Sequence, residues 1–162
     1  MRFRGLFAGS IASAALLATA CGGSSPSTAA ASPASSPAAS PAGTAATIAV
    51  ATTKLGQILV DGKGLTLYLF VADTSTTSTC NSSCATVWPP VLTTGAPQAG
   101  AGANASLLGT TTRTDGTTEV IYAGHPLYYF VQDKSAGDTT GQGVNSFGAL
   151  WWVLSPAGAA IH

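Results

Sequence analysis

The sequence predicts an all-β fold in which two tandem meander-like repeats pack as one small sandwich or pseudo-twofold barrel. From Thr47 onward the chain is rich in β-branched and aromatic residues and is punctuated by glycine, which is typical of short strands joined by turns. The stretch LTLYLFVAD at residues 65–73 returns as HPLYYFVQD at residues 125–133. No amphipathic helical period of useful length interrupts this pattern. Because one meander alone is marginally stable, the two should bury one face against each other.

The first 20 residues have the features of a secretory signal peptide. Arg2 and Arg4 precede the apolar, small-residue stretch LFAGSIASAALLATA, which ends immediately before Cys21. The sequence LLATAC resembles the lipobox of bacterial lipoproteins, in which the cysteine is lipidated and becomes the mature N-terminus. The resemblance implies that Cys21 anchors the protein to the outer face of the bacterial cytoplasmic membrane. If Cys21 is not lipidated, the same signal predicts a secreted protein.

Residues 21–46 form a predicted tether between the anchor and the β domain. After Cys21 this segment contains only Gly, Ser, Pro, Thr and Ala, so it has no large side chain whose burial would offset the entropy of ordering. Its recurring prolines favour an extended spacer, which at about 3 Å per residue reaches on the order of 70 Å. Only 7% of the residues are charged and the formal net charge is zero, which argues against a nucleic-acid partner. The expected partners are the membrane, through Cys21, and an envelope protein or the cell wall.

The β domain is predicted at residues 47–162, with repeats at about 48–91 and 108–154. An offset of 60 places Val60 on Val120 and aligns the two aromatic strands. The residues aligned in these strands are Leu67, Tyr68, Phe70, Val71 and Asp73 with Leu127, Tyr128, Phe130, Val131 and Asp133. After a slip of three residues, CATVWPPV lies over FGALWWVL and aligns Trp88 with Trp151. Such internal periodicity indicates that the two copies share one local architecture.

Glycine-containing turns divide each repeat into three strands. The turns are predicted at Asp61–Gly64 in the first repeat and at Asp115–Gly116 and Ala123–Pro126 in the second. Alternating residues of the aromatic strand are apolar on both faces, so we expect this strand to be covered on both sides. A contact between Tyr68 and Asp73 of one repeat would require the chain to bend after Val71. Short helical turns are predicted around residues 84–87 and 146–150.

The duplicated motif Tyr-x-Phe-x-x-Asp resembles a known family of bacterial proteins. It occurs as Tyr68, Phe70 and Asp73 and again as Tyr128, Phe130 and Asp133, each followed by a downstream tryptophan. This pattern is similar to the bacterial "secreted repeat of unknown function", whose members are described as predicted lipoproteins with a Y-x-(F/W/Y)-x-x-D motif. The resemblance implies an envelope location and a repeat architecture, and it implies no particular activity.

The repeated aspartates allow three interpretations. Asp73 and Asp133 each end an aromatic strand and enter a loop rich in Ser, Thr and Gly, where a carboxylate commonly caps the turn. Alternatively, the two carboxylates meet at a pseudo-twofold axis as oxygen ligands, although a hard cation requires more oxygen ligands than two carboxylates supply. A third interpretation is a hydrolytic enzyme that uses the two aspartates as acid and base.

Cysteine usage favours a structural disulfide. Cys80 and Cys84 follow the first aromatic strand, and in an exported protein a local bridge between them is expected. The spacing differs from Cys-x-x-Cys, and no further cysteine of the domain completes a four-thiolate metal site. A redox pair or a thiolate metal site is therefore the less favoured alternative.

The remaining candidates are histidines and tryptophans. His125 precedes Pro126 in a turn and, together with Asp133 and the terminal His162, forms a weak candidate for a copper or zinc site. The candidate ligand contacts are the tryptophans Trp88, Trp151 and Trp152.

No sequence motif for a nucleophile, a zinc protease or a phosphate loop is present. The sequence thus favours a non-enzymatic module without a cofactor or metal, with a structural or interaction role in the envelope. The rival interpretation is a redox or metal-binding lipoprotein that uses the aspartates, His125 or the cysteine pair.

Overall fold

A computed structural model describes residues 44–162 of the chain. The predicted signal peptide, the lipidation site Cys21 and the tether up to residue 43 lie outside the described residues. Within residues 44–162 the secondary structure is almost entirely β, as the sequence predicts, and no helix there has the length and hydrophobicity needed to cross a bilayer. The strands are β1 Thr47–Thr53, β2 Gly56–Asp61, β3 Tyr68–Phe70, β4 Gln98–Ala99, β5 Leu108–Thr112, β6 Thr118–Tyr122, β7 His125–Pro126, β8 Asn145–Ser146 and β9 Ala149–Val153; the helix α1 is Ser83–Val87, and a 3-10 turn spans Ala105–Leu107.

The strands of the described region form three small sheets, with the orders β2-β1-β4, β5-β6-β7 and β3-β9-β8. The predicted meander is complete in the second repeat, where β5, β6 and β7 are antiparallel neighbours. In the first repeat the β1–β2 hairpin is followed by a single bridge between Val60 and Thr66. The chain then leaves this hairpin, and β3 pairs with β9 of the second repeat. The three sheets pack on one another and do not join into one closed barrel.

One of the two predicted helical turns is wrong. Residues 84–87 lie in α1, as predicted, but residues 146–150 belong to the hairpin formed by β8 and β9. Its two turn residues, Phe147 and Gly148, have φ values of 56° and 92°. Positive φ at both central positions is what a two-residue hairpin turn requires, and Gly148 supplies the second of them at no steric cost.

The hydrogen-bond register corrects one pair in the alignment of the repeats. The Leu67 amide donates to the Leu59 carbonyl, whereas the equivalent Leu127 amide donates to the Val120 carbonyl. Leu59, and not Val60, therefore occupies the place of Val120. The shift arises because Thr52 pairs with Gln57 across the first hairpin, whereas Thr112 pairs with Thr118 across a connection that is one residue longer. As a result, Glu119 occupies the place of the apolar Ile58.

The two repeats exchange their aromatic strands. β3 of the first repeat lies beside β9, which carries Trp151 of the second repeat. Reciprocally, the Tyr129 amide donates to the Pro89 carbonyl, and the Val91 amide donates to the Leu127 carbonyl, both at 2.8 Å. At the centre, Tyr68 and Tyr128 exchange backbone hydrogen bonds of 2.8 and 3.0 Å. This antiparallel pair marks a pseudo-twofold axis that relates the repeats.

The aromatic strands are covered on both faces, as their two apolar faces predict. One core contains the motif aromatics of both repeats, and the other contains the aliphatic residues that alternate with them. The first core comprises Ile58, Val60, Tyr68, Phe70, Cys80, Cys84, Trp88, Tyr128, Phe130, Trp151 and Val153. The second comprises Ile48, Leu59, Leu67, Leu69, Val91, Val120, Tyr122, Leu127 and Leu154. Each core draws on both repeats, so neither repeat has a complete core of its own.

Four aromatic rings form a continuous stack through the first core. Trp88 and Trp151 lie at its centre, with ring centroids 3.9 Å apart and planes inclined by 3°. Phe70 stacks on Trp151 at 4.1 Å, and Phe130 stacks on Trp88 at 4.2 Å. Successive rings alternate between the repeats. Ring contacts of this kind stabilise beyond the area they bury, so the stack fastens the two repeats to each other.

We predict that Trp151→Ala costs about 3–5 kcal/mol of unfolding free energy, because it removes a fully buried ring from the middle of the stack. Trp152→Ala, at the next residue of the same strand, is the matched control, because Trp152 is partly exposed and stands outside the stack. Its cost should be less than half as large. Urea denaturation followed by far-UV circular dichroism measures both. Equal losses for the two variants would contradict the central role of the stack.

Candidate functional site

The tyrosine and the aspartate of the motif meet across the repeat boundary. The Tyr68 hydroxyl donates to Oδ2 of Asp133 at 2.7 Å, and the Tyr128 hydroxyl donates to Oδ2 of Asp73 at 2.5 Å. The chain does turn after Phe70, where the Asp73 amide donates to the Phe70 carbonyl at 3.0 Å. This turn brings Asp73 to the tyrosine of the other repeat and not to its own.

The second oxygen of each aspartate caps its own loop. Oδ1 of Asp73 accepts from the Thr79 amide at 2.8 Å and from the Thr79 hydroxyl at 2.5 Å. Oδ1 of Asp133 accepts from the Thr140 amide at 2.9 Å and from the Thr140 hydroxyl at 2.5 Å. The capping interpretation of the aspartates is therefore confirmed, and each carboxylate also joins the two repeats. Both oxygens of each carboxylate already have partners.

The electrostatics of the site keep the tyrosines protonated. Burial raises the pKa of Tyr68 far above its usual value, and the hydrogen bond to Asp133 raises it further. Burial likewise raises the pKa of Tyr128, with added contributions from the negative charge of Glu119 and from the Asp73 hydrogen bond. A phenol held in this state serves as a hydrogen-bond donor and not as a base. The motif thus forms two fixed hydrogen bonds between the repeats, Tyr68 to Asp133 and Tyr128 to Asp73, which we call the clasp.

A buried polar network extends the clasp on one side only. The Ser78 hydroxyl lies 2.6 Å from the Tyr128 hydroxyl and accepts from Nη1 of Arg113 at 2.6 Å. The same Nη1 donates to Oε2 of Glu119 at 2.7 Å, and Nη2 donates to the Cys80 carbonyl at 2.7 Å. This network joins β6, the β5–β6 connection and the disulfide loop of the first repeat. It lies in the interior, where hydrogen bonds and charges interact most strongly.

Glu119 is the unusual member of this network. It is fully buried, and its Oε1 atom has no hydrogen-bond partner in the described structure. Burial raises the pKa of Glu119 to about 7, although the contact with Arg113 opposes this shift. Sequence reasoning missed both residues. The available signal was a pair of opposite charges, Arg113 just after β5 and Glu119 on β6, in a chain of which only 7% of the residues are charged.

The loop after each aromatic strand is secured differently in the two repeats. The predicted disulfide between Cys80 and Cys84 is present, with Cys80 fully buried directly after the capping Thr79. In the second repeat, Gly141 follows the capping Thr140, and its amide donates to the Tyr68 hydroxyl at 3.2 Å. A Cβ atom at Gly141 would lie only 2.8 Å from the Trp88 ring. The ring therefore fixes glycine at the place where the first repeat has a cysteine.

The other candidate residues do not converge on one site. Trp88 and Trp151 are fully buried in the stack, so their rings have no exposed face to offer a ligand, whereas Trp152 is partly exposed and contacts His162 edge-on at 4.7 Å. His125 is half-buried in β7 and pairs with Tyr122 of β6. Within residues 44–162, no three of the His, Cys, Asp and Glu side chains cluster closely enough to hold a metal ion.

Two surface clefts share Tyr129, whose hydroxyl donates to Oδ2 of Asp61 at 3.3 Å. The larger cleft, of about 430 Å³, lies between residues 44–47, the turn that follows β2 at residues 61–63, and residues 92–94. The smaller, of about 290 Å³, is bordered by Pro89, Val131 and Asp133. Of the motif residues and the other site candidates that the sequence singles out, only Phe130 and Asp133 line either cleft, and both lie at the smaller one.

These features define a class of protein, namely a β module built from two repeats that complete each other. The family model described as "secreted repeat of unknown function" matches residues 49–92 and again residues 109–155, together more than half of the chain. The protein therefore belongs to this family of secreted repeats. Comparison with curated proteins and with solved structures gave no match. The family description agrees with a location outside the cytoplasm and with the duplicated architecture seen here.

A double-mutant cycle tests the exchange of contacts. Tyr68→Phe and Asp133→Asn should each destabilise the protein by about 1.5–3 kcal/mol, because the first removes and the second weakens a part-buried hydrogen bond to a charged group. The double variant should cost less than the sum of the two single losses, with a coupling energy of about 1 kcal/mol or more. The control cycle pairs Tyr68→Phe with Asp73→Asn in the same repeat and should be nearly additive. Coupling in the control cycle alone would refute the exchange. Chemical denaturation supplies all values.

Glu119 should make stability depend on pH. Its pKa in the folded protein, about 7, exceeds the ordinary value of 4.5, so the folded state binds this proton more tightly than the unfolded state. The resulting stability is present below pH 4.5 and is lost as the pH rises to about 7, by up to about 3 kcal/mol. Glu119→Gln keeps the shape and removes the titration. The difference in unfolding free energy between the two proteins, measured from pH 4 to 8, should follow this curve. A difference that does not change with pH would contradict it.

Proposed function

We propose that the protein is a lipid-anchored, non-catalytic β module that serves an interaction or structural role in the bacterial cell envelope. The observation that carries this proposal is that the motif residues contact one another. The hydroxyls of Tyr68 and Tyr128 and both oxygens of each aspartate take part in hydrogen bonds that join the repeats or close their loops. The motif therefore builds the scaffold, and contacts with other molecules fall to the surface around it.

The anchor is supported by the order of segments along the chain. A short basic region, an apolar stretch and small residues precede Cys21, and a spacer of small residues and prolines follows it. Such a spacer holds the β domain at a distance from the outer face of the cytoplasmic membrane, where an envelope protein or the cell wall is within reach. Stable anchoring requires more than one acyl chain.

The redox, metal-binding and hydrolytic alternatives receive less support from the geometry. A metal at Asp73 or Asp133, or acid–base work by the pair, would have to displace the tyrosine and threonine donors that already bind the carboxylates. The disulfide is also poorly placed for exchange, because Cys80 is fully buried and Cys84 is 6% exposed. Attack by an external thiolate requires access to a sulfur atom.

Replacing the anchor residue tests the attachment to the membrane. Cys21→Ala should move the protein from the membrane fraction to the medium or the soluble envelope fraction. The residues Ala18-Thr19-Ala20 still offer an ordinary cleavage site, so the signal peptide can be removed, and intact mass confirms that it has been. Fractionation and immunoblotting of the full chain give the readout.

The matched control removes the other two cysteines and leaves Cys21 in place. The double variant Cys80→Ala, Cys84→Ala should stay in the membrane fraction, because its anchor is intact. Retention of correctly cleaved Cys21→Ala in the membrane fraction would refute lipid anchoring.

A further inference from the structure

The outer edges of β1 and β5 occupy equivalent places in the two repeats. In the described residues, the edge of β1 is paired with β4, whereas that of β5 is unpaired. Along β1, the strand β4 adds in parallel, so the Gln98 amide donates to Ala46, the Gly100 amide donates to Ile48, and Val50 donates to the Ala101 carbonyl. These bonds measure 2.7–2.8 Å. The segment that connects the two repeats thus satisfies the backbone of β1. Within residues 44–162, β5 pairs with β6 on one side and with no strand on the other.

The outer edge of β5 is open within residues 44–162. The Ala123 amide donates to Leu107, and the Arg113 amide donates to Thr117, so residues 107 and 113 and the alternate positions between them face β6. The backbone groups of Leu108, Thr110 and Thr112 therefore point away from β6. The Leu108 amide already donates to the Ala105 carbonyl, so only the carbonyl of Leu108 is open there. β5 is the terminal strand of its sheet, and both Thr110 and Thr112 are exposed. The Thr110 amide and carbonyl and their counterparts at Thr112 have no partner in the described part of the chain.

β5 also lacks the devices that usually protect an open edge. Natural edge strands are blocked by lysine, proline, a bulge or an inward-pointing charge. The sequence Leu108–Thr112 reads LGTTT, with no charge and no proline, and its pairing with β6 runs without a bulge. Its threonines favour extended backbone. The strand is therefore a ready template for one more strand.

We propose that the outer edge of β5 pairs antiparallel with the β5 edge of a second copy of this protein, about a twofold axis at Thr110. In this register Thr110 of each copy donates to and accepts from Thr110 of the other. The Thr112 amide of each copy donates to the Leu108 carbonyl of the other. This register engages all three outward-facing residues, and a shift in either direction along the strand loses part of the ladder.

A second copy fits this edge better than an unrelated peptide does. An antiparallel edge is self-complementary, so the same surface serves both partners. Residues 105–112 carry no charge, so self-association meets no like-charge repulsion and the strand offers no charge to select another partner. The inference also rests on the proposed function in one respect. Anchoring in one membrane plane would raise the local concentration of copies, which a contact of this small size requires.

Cysteine cross-linking in the anchored full-length protein tests the register. Directly opposed residues that exchange both hydrogen bonds have Cα atoms about 5.5 Å apart, within the range that a disulfide spans. Thr110→Cys should therefore yield a covalent dimer on non-reducing gels under mild oxidation. Thr112→Cys is the matched control, because position 112 of one molecule would lie roughly 13 Å along the ladder from position 112 of the other. The dimer fraction should be about tenfold higher for Thr110→Cys than for Thr112→Cys, as the distances require.

A proline variant tests the same contact without a new thiol. The Thr110 amide points away from β6, so proline there removes an outward donor and leaves the β5–β6 bonds in place. Chemical cross-linking of wild-type protein should give dimers, and Thr110→Pro should lose them while Thr110→Ser keeps them. Circular dichroism confirms that each variant is folded.

Each remaining outcome is decisive. Equal cross-linking at positions 110 and 112, or dimers that persist in folded Thr110→Pro, would overturn the proposed pairing. So would a cross-linked product whose mass shows a different protein. Fractionation of the same samples reports whether the chain is membrane-bound. If it is not, the assay is repeated on the concentrated soluble protein, so that failure of the anchor and failure of the pairing are read separately.

Discussion

Each motif tyrosine gives its hydroxyl hydrogen bond to the aspartate of the opposite repeat, and the rest of the domain depends on this exchange. A buried hydroxyl without a partner is costly, so neither Tyr68 nor Tyr128 is well accommodated unless the other repeat is folded against it. Each hydroxyl bonds to an aspartate of the opposite repeat, and the backbones of the two tyrosines pair antiparallel at the centre of the domain. That placement brings Trp88 over Trp151 and sets each aromatic strand beside the tryptophan strand of the other repeat. The same aspartates hold the loops that follow.

Within this symmetric frame the two ends of the clasp have different chemistry. The end at Tyr128 contains Ser78, the ion pair of Arg113 with Glu119, and the disulfide loop. At the end near Tyr68, a glycine amide approaches the hydroxyl, and the position equivalent to Glu119 is the apolar Ile58. A buried ion pair is weak evidence for stability, because the cost of desolvation can exceed the Coulombic gain. The network places Glu119, whose burial raises its pKa, in only one half of the molecule.

Much of the fold could be predicted from local sequence. The turns at Asp61–Gly64 and Asp115–Gly116 follow from the backbone preferences of glycine and aspartate, and the double coverage of the aromatic strand follows from its two apolar faces. The exchange between repeats could not be predicted in this way. Which strand β3 pairs with depends on long-range packing, and a motif read within one repeat does not reveal that its tyrosine and aspartate bind different copies. The hairpin at Phe147 was missed because an aromatic residue rarely adopts positive φ.

The candidate site could likewise be predicted from the sequence only in part. The capping role of the aspartates and the pairing of Cys80 with Cys84 were within reach, because each depends on neighbours in the sequence. The network around Glu119 could not be predicted in this way. One additional residue in the β5–β6 connection shifts β6 and places the Glu119 side chain in the core. A fixed offset between the repeats conceals such a shift.

The reciprocal exchange also limits how many copies of this repeat one molecule can use. Solenoid repeats present the same interface at both ends, so their arrays grow by addition of single units. Here each copy donates one tyrosine hydroxyl to its partner's aspartate and offers one aspartate to its partner's tyrosine, so two copies leave no tyrosine–aspartate contact for a third. A chain with a single copy would have to find its counterpart in another chain.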